Sequence, residues 1–164
     1  MDSIKPFSGN TGLTPRFSAS RAVCEYTKQH YLPAAANYHL RTADNGAAGL
    51  RIVDWQHSLE RNWRTLRFGN ISVENGDGQY QFTVQIFFSD FDPGAIRVEL
   101  YADGSPPERH EMKCLGQETG EALCHVYHAA IAAIRPATDY TARVMPYCAG
   151  VAIPLESGHI LWQG

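Results

Sequence analysis

The hydrophobic periodicity of the chain changes at Phe68, and this change limits the fold more than any other feature. Before it, large apolar residues recur every three or four positions at Ile52, Trp55, Leu59, Trp63 and Leu66. After it, apolar and polar residues alternate, most clearly over residues 79–88. A period near 3.6 indicates a helix, and a period of two indicates a strand buried on one face. The sequence therefore predicts a helical segment followed by a β domain.

The β part contains turn signals for seven strands. We predict strands over residues 68–74, 79–88, 96–101, 110–115, 123–132, 138–147 and 159–162, separated by clusters of Gly, Pro and Asp. Seven short strands at this spacing predict an antiparallel β-sandwich of immunoglobulin or fibronectin type III character, so the fold class is mainly β with N-terminal α. Tyr140 follows a proline-containing corner, and we interpret it as a structural tyrosine whose hydroxyl bonds to the upstream backbone.

Two helices are predicted in the first part of the chain. The first would start at Ser18 or Ser20, where a serine hydroxyl can cap the first turn, and would be interrupted at Pro33. The second covers the apolar series that ends at Leu66. We therefore divide the chain into a leader of residues 1–12, a helical segment of residues 13–66 and a β-sandwich domain of residues 67–164. Three explanations are open for the leader: a boundary introduced by cloning, a truncated reading frame, and disorder.

Composition excludes several classes of function. The chain has 164 residues, with 14 Lys and Arg and 17 Asp and Glu, and its net charge is −3. It contains no run of basic residues that would bind nucleic acid. Its longest apolar stretch, residues 122–134, is shorter than the roughly twenty residues that span a bilayer. We expect a cytoplasmic protein with no membrane partner. Its four cysteines lack zinc-site spacing, and we expect buried thiols, with pairing of Cys114 and Cys124 as the alternative.

Motifs that carry chemistry are missing from the sequence. It contains no G-x-G-x-x-G, no P-loop and no G-x-S-x-G elbow. His125 and His128 are three residues apart on a predicted strand, so they would point to opposite faces and would not share a metal ion. We therefore predict no catalytic, cofactor-binding or metal-binding residue in this chain.

Several strings nevertheless resemble a known family. They are residues 13–26, with Arg21, Glu25 and Tyr26, and residues 98–103, 139–141 and 160–162. Together they resemble the C-terminal segment of the bacterial α-glucan (glycogen/maltodextrin) phosphorylases, in the longer branch that carries an extra N-terminal domain. In that family the first string marks a late helix of the catalytic region. We interpret its three matching residues as structural contacts that hold this helix in place (a fastening role), and not as substrate-binding residues.

The resemblance implies a parent glycosyltransferase of carbohydrate metabolism. Such an enzyme cleaves α-1,4-glucan with phosphate to give glucose 1-phosphate, and it binds pyridoxal phosphate on a lysine in an Asn-Met-Lys context. The three lysines of this chain, Lys5, Lys28 and Lys113, lie in other contexts. We therefore expect that the chain carries no cofactor and is not an enzyme by itself.

Three roles are compatible with this resemblance. The leading one is a structural or accessory segment whose partner is the catalytic domain of the parent. The alternatives are a free-standing interaction domain and a module that binds α-glucan on a coplanar aromatic platform, for which the candidates are Trp162, Tyr101, Tyr80 and Tyr147. Without the catalytic domain, we expect partial exposure of Val23, Tyr26, Trp55 or Trp63 and hence self-association.

Overall fold

The computed structural model describes residues 18–88, 92–118 and 123–164. The predicted leader, residues 1–12, lies outside the described residues. The chain divides into two units, of which the first ends at Gly49 and the second begins at Leu50. Residues 50–66, which we assigned to the helical segment, thus group with the strands.

The first unit is helical in its described part. Helix α1 (Ala19–Tyr26) begins after Ser18, whose hydroxyl accepts a hydrogen bond from the Arg21 N–H at 3.3 Å. A turn of π-helix (Thr27–Tyr31) leads into helix α2 (Leu32–Asn62). The predicted interruption at Pro33 is wrong, because the proline lies at the start of α2, directly after the widened π turn, where its missing N–H is tolerated.

The helical backbone of α2 is broken later, at residues 43–46. Asp44, Asn45 and Gly46 have φ angles of 50°, 56° and 81°, in the left-handed region that Asn, Asp and Gly adopt most readily. The helix therefore breaks at three residue types that tolerate this conformation well. No residue of α1 is buried, and Val23 and Tyr26 are exposed, as expected.

Eight strands in the described residues form two four-stranded antiparallel sheets. The strands are β1 (Arg67–Gly76), β2 (Gln79–Phe87), β3 (Ile96–Ala102), β4 (Glu108–Glu111), β5 (Lys113–Glu118), β6 (Cys124–Ala132), β7 (Thr141–Pro146) and β8 (Leu161–Trp162). The first sheet has the order β1-β2-β6-β5, and the second has the order β4-β3-β7-β8. The prediction of a mainly β chain with N-terminal α is confirmed, whereas the count of seven strands is wrong.

The additional strand arises at Met112. The segment predicted as one strand is divided into β4, which pairs with β3 of the second sheet, and β5, which pairs with β6 of the first. Between them Met112 is buried, and its N–H donates to the carbonyl oxygen of Val98 at 2.8 Å. The chain passes from one sheet to the other here, and an alternation pattern cannot show which sheet a strand joins.

One apolar cluster joins both sheets and the second half of α2. Its members include Val84 and Ile86 of β2, Val98 of β3 and Val144 of β7. Leu59 of α2 is 2% exposed within it. The Trp55 side chain is also buried, and its indole N–H donates to the carbonyl oxygen of Ala95 at 3.5 Å.

The expected exposure of Trp55 is therefore wrong. Trp63 is half-buried, with its ring centroid 5.3 Å from that of His159. Within the described part of the chain, no helix is long and apolar enough to cross a membrane.

Candidate functional site

The second sheet presents a row of charged and aromatic side chains on the face away from the core. Along β3 the apolar residues are buried, whereas Arg97, Glu99 and Tyr101 lie at the alternate, outward positions. The register places Glu99 opposite Arg143 of β7, and Arg143 opposite Trp162 of β8. We call Arg97, Glu99, Tyr101, Arg143, Tyr147 and Trp162 the outer face.

Arg143 is buried although it points away from the apolar core. Its side chain is 8% exposed, and its Nε donates to Oε1 of Glu99 at 2.6 Å, with a second guanidinium nitrogen on the same oxygen. The guanidinium carbon lies 4.4 Å from the ring centroid of Tyr101 and 4.9 Å from that of Trp162. The carboxylate balances the charge, and the two ring faces replace part of its hydration.

A second arginine and aromatic pair lies on the outer face. The guanidinium carbon of Arg97 is 3.8 Å from the ring centroid of Tyr147, and its Nε is 3.5 Å from a carboxylate oxygen of Glu111. Both partners of this ion pair are exposed. Tyr147, which is 37% exposed, therefore presents its ring together with a cation at the surface.

The structure brings together three of the four predicted aromatic residues. Trp162, Tyr101 and Tyr147 are on the outer face, whereas Tyr80 is on β2 of the other sheet, with its ring centroid 6.3 Å from that of Phe82. The expected coplanar platform is not formed, because the rings of Tyr101 and Trp162 stand at 79° with centroids 5.5 Å apart. Trp162, at 43%, is the most exposed ring of the outer face.

A separate polar cluster surrounds Tyr140. Its hydroxyl donates to Oε2 of Glu108 at 2.9 Å, and not to the upstream backbone as we expected. Arg135 contacts Glu108 at 3.4 Å and Asp139 at 3.1 Å. The Tyr140 hydroxyl, more than any other neighbour, lowers the pKa of Glu108, and burial together with Glu108 raises the pKa of Tyr140. These contacts tie β4 to the corner before β7, and the structural role of Tyr140 stays a prediction.

The family-like motif in α1 makes short-range contacts. Nε of Arg21 lies 2.6 Å from Oε1 of Glu25 one turn away, and the ring centroid of Tyr26 lies 5.3 Å from that of His30. The ion pair is exposed, and such pairs contribute little to stability. The fastening role of these residues therefore stays a prediction.

The histidine residues of β6 have different surroundings. The His125 ring stacks on Phe88 with centroids 4.3 Å apart, and burial lowers its pKa. His128 lies opposite Thr83 of β2. Among the residues that the structure describes, no group of three His, Cys, Asp or Glu side chains is placed to hold a metal ion.

The cysteine residues of the β5–β6 hairpin do not face each other. Cys114 lies opposite Tyr127, and Cys124 lies opposite Glu118. Cys24 and Cys114 are exposed, so the expectation of buried thiols is wrong for these two residues.

Sequence reasoning did not find Arg143 and Glu99, the charged pair of the outer face. The available signal was the alternation of β3, which puts Glu99 and Tyr101 on one face, but the pairing of β3 with β7 is not readable from either segment. The described residues thus form a mainly β segment whose most distinctive surface combines a covered arginine with exposed aromatic rings.

Comparison with known proteins gives two partial similarities. No family model matches the chain, and no solved structure matches it. Over 168 residues, or 93% of this chain, it is 26% identical to the maltodextrin phosphorylase of Thermococcus litoralis, of which it covers 19%. Over 101 residues, or 59% of this chain, it is 32% identical to the glutamyl-Q tRNA(Asp) synthetase of Burkholderia orbicola, of which it covers 33%.

The chain spans about a fifth of the first relative and a third of the second. The longer similarity supports a phosphorylase-related segment, and the synthetase similarity is a competing signal.

Proposed function

We propose that this chain is the C-terminal accessory segment of an α-glucan phosphorylase and is not catalytic alone. The observation that carries the proposal is the similarity to a maltodextrin phosphorylase over 93% of the chain, which requires residues from both units. In this proposal the parent releases glucose 1-phosphate from α-1,4-glucan, and the rest of the parent holds pyridoxal phosphate.

The proposed architecture is a helical segment followed by a β-sandwich of immunoglobulin or fibronectin type III character. Two antiparallel four-stranded sheets that share one apolar cluster support the sandwich. The chain also changes sheets at Met112, between β4 and β5, and such a change is a further argument for two sheets that face each other.

The partner in this proposal is the catalytic domain of the parent. Large apolar side chains of the first unit are more than half exposed, among them Val23, Tyr26, Leu32 and Leu40. A group of exposed apolar side chains indicates an interaction surface. We propose that the catalytic domain covers these helices, and that the isolated chain self-associates through them.

A segment exchange tests the accessory role. The matching segment of the Thermococcus litoralis maltodextrin phosphorylase is deleted, or replaced by this chain, and release of glucose 1-phosphate from maltoheptaose is measured. We expect the exchanged enzyme to be more active than the deleted one, and this chain alone to release none. A folded exchange variant that is no more active than the deletion variant would contradict the proposal.

A second candidate function is α-glucan binding on the outer face. The observation that favours it is the placement of Trp162, Tyr101 and Tyr147 on one face with two arginine side chains. Aromatic faces supply apolar contact to sugar rings, and charged side chains supply hydrogen bonds. Because the Tyr101 and Trp162 rings stand at 79°, one sugar ring can stack on only one of them.

Calorimetric titration of the full chain with maltoheptaose tests this function. We expect saturable binding that Trp162→Ala abolishes and that Tyr101→Ala weakens less, because the Trp162 ring is the more exposed. Tyr38→Ala is the matched control, since Tyr38 is a 65% exposed aromatic residue of the first unit. Absence of heat at millimolar sugar, or an unchanged isotherm for Trp162→Ala, would exclude glucan binding and leave the accessory role.

A further inference from the structure

A cavity of about 660 Å³ lies where the chain passes from β4 to β5. Val98 and Met112, which are buried in the core cluster, line its apolar part together with Tyr127. Arg97, Glu111 and Lys113 line its polar part. This volume is within the range of small-molecule sites, and an apolar lining with a few polar groups is typical of them.

The Tyr127 hydroxyl is a buried donor whose polar neighbour in the described part of the chain is a thiol. The residue is 3% exposed, and within the described residues no oxygen or nitrogen atom pairs with its hydroxyl, which lies beside the Cys114 thiol, a weak acceptor. Burial and the adjacent Cys114 thiol raise its pKa, so the hydroxyl stays protonated at neutral pH. Buried polar groups are nearly always paired in folded proteins, and an unpaired one beside a cavity indicates a missing acceptor.

The charged side chains of the cavity favour an anion. Arg97 is paired with Glu111, at 3.5 Å, whereas Lys113 has no ion pair among the residues that the structure describes. The lining residues therefore carry one positive charge in excess. An anionic acceptor would meet both this charge and the Tyr127 hydroxyl, while the apolar part of the cavity excludes a bare, strongly hydrated ion.

We propose that this cavity binds a small organic oxoanion, a carboxylate or phosphate monoester attached to an apolar body. The Tyr127 hydroxyl donates to an oxygen of the head group, and Lys113 supplies the opposite charge. Met112 contacts the apolar body. The cavity shares Arg97 with the outer face but none of its aromatic rings, and the proposal does not rest on the accessory role.

Methionine methyl resonances report on this site directly. The full chain contains three methionines, Met1, Met112 and Met145. Met112 lines the cavity, whereas Met145 lies in β7 opposite the outer-face residue Arg97. With ¹³C-methyl-labelled methionine, we expect benzoate or phenyl phosphate to shift Met112 saturably and to shift Met145 less, because Met145 does not line the cavity and only neighbours the lining residue Arg97. We expect the affinity for neutral benzyl alcohol to be lower by about tenfold or more, because this molecule lacks the charge.

Substitutions identify the two donors. Tyr127→Phe keeps the ring, and we expect it to weaken binding of the preferred anion about tenfold or more, because a hydrogen bond to a charged group is lost. Lys113→Gln should weaken binding and reduce its dependence on salt. Lys28→Gln, in the first unit, is the matched control, and Trp162→Ala should also leave binding of the anion unchanged.

Three results would overturn the proposal. They are no saturable Met112 shift with either anion at millimolar concentration, equal affinity for benzyl alcohol, and undiminished affinity in Tyr127→Phe. The methyl spectrum of each variant without ligand verifies that it is folded. The relative affinities of benzoate and phenyl phosphate identify the preferred head group.

Discussion

Removal of the Glu99 carboxylate should destabilise the protein more than removal of an exposed charge from the same sheet. The side chains of Arg143 and Glu99 are 8% and 15% exposed, so Glu99→Ala leaves a buried guanidinium without its counter-ion. Breaking a buried ion pair in this way costs about 3–5 kcal/mol. The rings of Tyr101 and Trp162 still contact the guanidinium and retain about 1 kcal/mol of this. We expect the free energy of unfolding to fall by about 2–4 kcal/mol.

Urea unfolding followed by circular dichroism measures this change. Glu111→Ala is the control, because its ion pair with Arg97 has side chains that are 59% and 44% exposed, and such a pair contributes about 0.5 kcal/mol. The double variant Glu99→Ala/Arg143→Met should be more stable than Glu99→Ala alone, since it leaves no buried charge unpaired. A loss for Glu99→Ala no larger than that for Glu111→Ala, or a double variant less stable than Glu99→Ala, would show that Glu99 does not offset a buried charge.

Other predictions concern the core and the Tyr140 cluster. Leu59 is 2% exposed, so Leu59→Ala should cost about 2–5 kcal/mol in urea unfolding, whereas Leu40→Ala, at a 63% exposed position, should cost about 0.5 kcal/mol or less. Equal losses would contradict the packing of α2 on the sheets. The pKa of Glu108 is lower in the folded chain than in the unfolded one, so its stabilising contribution is complete above the unfolded pKa and is lost as the pH falls through the folded pKa. Glu108→Gln should flatten the pH profile of stability on the acid side of the ordinary glutamate pKa, about 4.3, and parallel profiles for variant and parent would show that Glu108 makes no such contribution.

Local patterns predicted the position of the first strands. The change of period at Phe68 agrees with β1, which begins at Arg67, and the alternation over residues 79–88 agrees with β2 (Gln79–Phe87). Both succeed because each strand buries one face, and one-sided burial selects apolar residues at every second position. No knowledge of the partner strand is required for this step.

Features that depend on distant contacts were not predictable. The division at Met112 depends on which sheet each half of the segment joins, because alternation is the same in either sheet. The continuation of the helix past Pro33 depends on a π turn that residue propensities do not indicate. The first error came from applying a local rule where pairing with other strands decides the structure, and the second came from a change of hydrogen-bond pattern within the helix itself.

The outer face shows why candidate residues can be found without the site that they form. Glu99 and Arg143 are separated by 44 positions in the chain, and each occupies an outward position that sequence reasoning takes as solvated. An outward position means only that a side chain leaves the apolar core, since a neighbouring strand can still cover it. Here Tyr101 and Trp162 cover Arg143, and the cation occupies one face of each ring. The same register that buries the arginine thus prevents the two rings from forming the coplanar platform that their residue types suggested.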